Sequence, residues 1–182
     1  MRDFIKNCYW LFLLTGILFA CNPQEPVAQS ENIGFIVNPK GEGSAFYTLD
    51  EVTGQLSYML DFGEDAGNWR RYGNAYRKPE RAGSTLFFQA EERGIDTGTT
   101  FYILNGATGQ VSYLSDYGPG AGAWVNFGNR LKGANISAFD TQIIGTAGMV
   151  FYAYDSTAKQ MYFMQDFGDK PGEWQKYGVD NN

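Results

Sequence analysis

Residues 46–73 read FYTLDEVTGQLSYMLDFGEDAGNWRRYG. Residues 101–128, FYILNGATGQVSYLSDYGPGAGAWVNFG, and 151–178, FYAYDSTAKQMYFMQDFGDKPGEWQKYG, follow the same plan. Each opens on Phe-Tyr, crosses a short polar turn into a second aromatic-rich run, and reaches Asp-aromatic-Gly. Each then passes through Gly-x-Trp to a closing aromatic-Gly pair. Asp61, Asp116 and Asp166 stand eight residues before Trp69, Trp124 and Trp174. Matches at so many fixed offsets mark one module copied three times.

The module is a hairpin with an arm. Phe46–Leu49 and Gln55–Leu60 carry aromatic and branched residues that favour strands. The Asp50–Gly54 segment between them has a turn mechanism: the Asp carboxylate bonds amides further on, and Gly54 accepts positive φ. The third copy has Ala158-Lys159 in place of Thr-Gly, so its turn must differ or carry strain. A further strand is expected before each hairpin, at Gly34–Val37, Thr85–Ala90 and within Ile136–Ile144. The unit is thus three strands plus a Gly-rich arm ending in Trp-x-x-aromatic-Gly. No stretch has a helical period, so the reading is all-β. The units span about 33–76, 84–130 and 135–178, within one domain of 33–182.

The hairpin pattern Tyr-x-Leu-Asp-x-x-Thr-Gly resembles the blade hairpin of pyrroloquinoline-quinone-type β-propeller repeats. The resemblance covers the hairpins alone and brings over neither that family's cofactor nor its catalytic positions. No cofactor is expected. Propellers have four or more blades, and this chain offers three units. The expected fold is therefore all-β with three internal repeats of antiparallel strands in a pseudo-threefold arrangement, trefoil-like or prism-like. The alternative is a partial β-propeller, completed by oligomerisation.

The N-terminus reads as an address. Residues 1–20, MRDFIKNCYWLFLLTGILFA, place Arg2 and Lys6 ahead of an apolar run too short to span a bilayer, where about 20 residues are needed. Leu18-Phe19-Ala20-Cys21 resembles the lipobox of bacterial lipoproteins, with a larger residue than usual at Phe19. The resemblance implies cleavage before Cys21 and acylation of its thiol and new amine. Asn22 in place of Asp favours the outer membrane. Residues 21–32, polar and with two prolines, read as a flexible tether. The expected partner at this end is the lipid bilayer, through acylated Cys21.

Composition closes off several chemistries. The chain has no His, and its two Cys are Cys8, inside the removed segment, and Cys21. A disulfide framework, a Cys/His zinc site and Ser–His–Asp catalysis are excluded. Fourteen Lys+Arg against 20 Asp+Glu, a net charge of −6, argue against nucleic acid as a partner. The acids that recur once per unit suit architecture better than a single catalytic centre, so no enzyme is expected.

The candidate ligand-binding residues are Trp69, Trp124 and Trp174 with Asp61, Asp116 and Asp166. Flat rings beside Gly and carboxylates suit a sugar face. The competing reading makes each Trp the packing plug of its unit and each Asp a strand-end acceptor for nearby amides. Calcium fits poorly, because the second copy has Pro119-Gly120-Ala121 where the others add acids. No metal is expected. The functional expectation is a lipid-anchored, non-catalytic binding or scaffolding domain at the cell envelope, with a glycan or an envelope protein as partner. The alternative is a structural subunit that assembles through sheet edges.

Overall fold

The computed structural model describes residues 32–40, 43–77, 85–92 and 98–178. The expected signal segment, Cys21 and almost all of the expected tether lie outside the described residues. The described chain is all-β. The first sheet is a meander of β1 (Asn32–Lys40), β2 (Gly43–Asp50), β3 (Leu56–Leu60) and β4 (Arg70–Tyr72). The second comprises β5 (Leu86–Glu92), β6 (Thr99–Asn105), β7 (Gln110–Ser115) and β8 (Val125–Phe127). The third comprises β9 (Ile136–Ile144), β10 (Gly148–Asp155), β11 (Gln160–Gln165) and β12 (Gln175–Tyr177). All pairings are antiparallel, and the register repeats: Phe46 faces Met59, Phe101 faces Leu114, and Phe151 faces Met164.

The hairpins and the strand before each one stand where the sequence puts them. The arm departs from expectation: its end is a fourth strand, with Arg70, Arg71 and Tyr72 opposite Tyr58, Ser57 and Leu56. Three residues are too few to show an alternating pattern in sequence. The pairing is pinned from outside the strand. The Gln55 amide nitrogen donates to Leu56 O (2.8 Å) and Tyr72 O (3.1 Å). Gln110 does the same for Val111 and Phe127, and Gln160 for Met161 and Tyr177.

The turns follow the expected mechanism. Asp50 Oδ1 accepts the amides of Val52 (2.9 Å) and Thr53 (2.8 Å). Asn105 and Asp155 hold residues 107–108 and 157–158 in the same way. Gly54 and Gly109 take φ of 69° and 65°. Lys159 takes 52° at the matching position, the one non-glycine with positive φ among the described residues. The strain anticipated for the third turn is present.

Burial along the strands reveals how the units are arranged. β2 buries alternate residues, Ala45, Tyr47 and Leu49. β6 is buried throughout. Along the equivalent stretch of β10, Phe151, Ala153 and Asp155 are buried while Tyr152 and Tyr154 are half-buried, which is the opposite face. The middle sheet is therefore covered on both faces, and each outer sheet on the inward one. Two cores result. The first joins Tyr47, Leu49 and Leu56 to Phe88, Phe101 and Leu114. The second joins Tyr102, Leu104 and Val111 to Phe139, Phe151 and Met164.

The two cores share a geometry. Tyr47 meets Phe101 edge-on at 4.8 Å with Phe88 stacked behind, and Tyr102 meets Phe151 edge-on at 5.2 Å with Phe139 stacked behind. Burying one such side chain contributes about 1.5–3 kcal/mol. The first strands lie side by side along one flank, β1 against β5 and β5 against β9. Gln89 donates to Phe139 O (3.1 Å), and the Thr141 hydroxyl donates to Glu91 (2.7 Å) across the second of these contacts.

Among the described residues, no core joins the third sheet to the first. Face-to-face stacking of meanders with the first strands on one flank is the arrangement of consecutive propeller blades. The all-β, three-repeat expectation stands. The trefoil-like or prism-like closure does not: the sheets pack in series, as in the partial-propeller alternative, and the described residues form no closed barrel.

Candidate functional site

Most of the polar residues of the repeat are consumed by architecture. Asp61 Oδ1 accepts the Ser44 amide (2.6 Å), Asp116 Oδ1 that of Thr99 (2.7 Å), and Asp166 Oδ1 that of Met149 (2.7 Å). In return the amides of these acids donate to Ser44 O, Thr99 O and Met149 O, each at 3.1 Å. Gly43, Gly98 and Gly148 precede the clamped residues because a Cβ there would fall on the carboxylate. The three carboxylates lie one per sheet, each on its own β-strand pair.

The three Trp occupy equivalent slots with different surroundings. Trp124 sits over the first junction, packed edge-on to Tyr76 at 5.4 Å, and its indole Nε1 donates to Asn74 O (3.0 Å). With Asn74, Arg77 and Asn126 it borders an open groove. Trp174 packs against the second core, and its Nε1 is buried without an acceptor. Among the described residues no sheet precedes the first, and Trp69 is 49% exposed. Trp124 and Trp174 therefore mark successive junctions, and the three Trp do not line one common cleft.

A cleft of about 220 Å³ opens at the second junction. It is lined by Thr100, Tyr102, Tyr113, Ser115, Tyr117, Phe127, Phe151 and Asp166. Thr100 Oγ1 lies 3.2 Å from Tyr117 OH and 3.4 Å from Ser115 Oγ, so three hydroxyls form one cluster at its wall. The rings of Tyr102, Tyr113, Phe127 and Phe151, with Asp166, supply the rest of the lining. Of the residues anticipated from sequence, only Asp166 borders it.

Sequence reading passed over Thr100, Ser115 and Tyr117, although the repeat carries the signal. In the first unit the same three slots hold Ala45, Leu60 and Phe62, and in the third Val150, Gln165 and Phe167. At the first junction Ala45 and Leu60 pack into the core. The Tyr72 hydroxyl there donates to Ser115 O (3.4 Å). Burial first, then the nearby Asp116 and Tyr58, raise the Tyr72 pKa above its ordinary value, so Tyr72 remains a neutral donor. Phe127, which takes the place of Tyr72 at the second junction, has no hydroxyl to fill the corresponding space.

No protein-family model matches the chain, and no curated protein or solved structure is significantly similar to it. The repeats within the chain are therefore its own standard of comparison.

Proposed function

We propose that the protein is a lipid-anchored component of a bacterial cell envelope whose β domain binds, without catalysis, a small polyhydroxyl ligand such as a single sugar ring. The observation that carries this reading is the polar cluster of Thr100, Ser115 and Tyr117 at the second junction, in slots that are all apolar at the first. Replacing the packed Ala45 and Leu60 of the first junction by hydroxyl side chains sacrifices packing and burial. A merely structural junction gains nothing from that exchange, as the first junction illustrates. A ligand that donates and accepts hydrogen bonds and presents an apolar face does. The cleft is smaller than the roughly 300–1,000 Å³ of drug-sized sites, which limits the occupant to about one ring.

The decisive variant rebuilds the first junction in the second: Thr100→Ala, Ser115→Leu and Tyr117→Phe together. Titration calorimetry against a panel of monosaccharides and polyols is expected to show binding to the wild type and at least a tenfold loss in the variant. A variant that binds as well as the wild type, or a wild type that binds no member of the panel, removes the support for this site.

Anchoring is tested separately. Acylation of Cys21 supplies more than one chain, which holds a protein stably where a single chain binds marginally. Cys21→Ser is expected to release the protein from the membrane fraction. Mass spectrometry of native material that finds an unmodified Cys21 rejects the anchor.

A further inference from the structure

We propose that the outer face of the third sheet docks on the outer face of the first sheet of a second copy, so that two chains close into one ring of six sheets. The chain contains this junction twice already. At the first, Gly73 lies against Gly122, where a Cβ built on Gly122 would meet the Gly73 Cα at 3.2 Å, and the Asn74 amide donates to Gly122 O (2.7 Å). At the second, Gly128 lies against Gly172 with the corresponding distance 3.0 Å, and Asn129 donates to Gly172 O (2.6 Å). Over these contacts Tyr72 leans on Phe101 (6.3 Å) and Phe127 on Phe151 (5.5 Å). A junction is thus a tail, the aromatic-Gly pair and the face behind it, set into a head, the Gly-x-Trp arm and its face.

Among the described residues, one head and one tail are left over. The leftover head is Gly67 with Trp69, and a Cβ on Gly67 would meet nothing within 4 Å. The leftover tail is Tyr177-Gly178, and a Cβ on Gly178 likewise meets nothing. Tyr177 is 60% exposed, whereas Tyr72 and Phe127 pack against cores. Met161 is 41% exposed, whereas Leu56 and Val111 in its slot are fully buried. Met59 is half-buried in the slot where Leu114 and Met164 are fully buried. The two leftover surfaces hold the residues that elsewhere in this molecule are buried against each other, so they fit one another as the internal pairs do.

The occupant is a second copy because of closure. Face-packed four-stranded sheets close into rings of about four to eight. A chain of three reaches that range by pairing, and two heads meeting two tails leave no open face. Apolar patches of this kind on a soluble surface mark interaction sites.

The test uses the full chain, extracted with its own N-terminal segment in a mild detergent, and light scattering to read the protein mass. The wild type is expected to run as two copies. Trp69→Arg and Tyr177→Arg alter exposed aromatic anchors, and each is expected to halve the mass with an unchanged near-ultraviolet circular dichroism spectrum. Mixing the two variants re-forms one intact junction, Trp69 from one chain with Tyr177 from the other, and is expected to restore the two-copy mass. A single-copy wild type, an open-ended ladder of masses, or a mixture of variants that stays single overturns the proposal.

Discussion

Lys159 occupies the turn position that Gly54 and Gly109 fill in the first two units, at φ 52°. Glycine is needed in the first two for a second reason. The segment after each of the first two sheets folds back on the turn, with the Tyr76 amide donating to Gly54 O (2.7 Å) and the Leu131 amide to Gly109 O (2.9 Å). A Cβ on either glycine would fall on the carbonyl of Tyr76 or Leu131. Gly54→Ala is therefore expected to cost about 2–4 kcal/mol, combining left-handed strain with the clash. Lys159→Gly relieves strain alone and is expected to stabilise by about 1 kcal/mol, read as a raised urea midpoint with an unchanged m-value. Asp155 allows a pH test. The Ala158 amide holds its carboxyl below the ordinary value of 3.8, burial opposes this, and the Asn135 and Thr157 amides add to the lowering. A carboxyl lowered in the folded state stabilises above its unfolded pKa, and the benefit is lost as pH falls through the folded value. The stability gap between wild type and Asp155→Asn is expected to be widest at neutral pH and to close well below 3.8, measured by urea midpoints. These turn roles were legible in the sequence because Asx and glycine chemistry is local. The folding back of Tyr76 and Leu131 was not, because nothing within the hairpin encodes what lies over it.

Between elements, the close approach of Gly73 and Gly122 decides how near two sheets can come. A methyl on Gly73 would meet Gly122 O at 2.7 Å and a Leu114 methyl at 2.9 Å. Gly63 also has positive φ but has open space around it. Gly73→Ala is expected to cost about 3 kcal/mol and Gly63→Ala about 1 kcal/mol, since only the first adds overpacking to strain. Comparing the two urea midpoints isolates the junction from the backbone; equal losses would mean the sheets adjust without penalty. The glycine and Trp periodicity announced that a junction existed. It did not disclose which face met which, because strict alternation leaves both faces of β6 apolar: Phe101 and Ile103 on one side, Tyr102 and Leu104 on the other. The cleft was missed for a related reason. A hydroxyl in a strand reads as a solvent-side residue until the neighbouring sheet is known to cover it. Only the slot-by-slot contrast of Ala45, Leu60 and Phe62 with Thr100, Ser115 and Tyr117 exposes the exchange.

At the scale of the molecule, serial stacking makes stability a sum of neighbour terms. The second sheet contributes a face to both cores, while the first and third contribute to one each. Phe101 and Phe151 occupy the same slot, and both are almost fully buried. Phe→Ala at either removes about 3–5 kcal/mol of local packing. The consequences differ by position in the array. Phe151→Ala weakens the second core alone, so the third sheet can detach while Tyr47, Phe88 and Phe101 keep the first two together. Phe101→Ala weakens the first core and frees the first sheet, leaving Tyr102, Phe139 and Phe151 intact. Native-state hydrogen exchange distinguishes these openings. In Phe151→Ala, the ladder amides between β10 and β11 are expected to exchange at least tenfold faster while those between β2 and β3 hold their rates. In Phe101→Ala the pattern reverses. Uniform acceleration across all three sheets in both variants would show that the domain opens as one cooperative body, and the stack would then have to be treated as a single core.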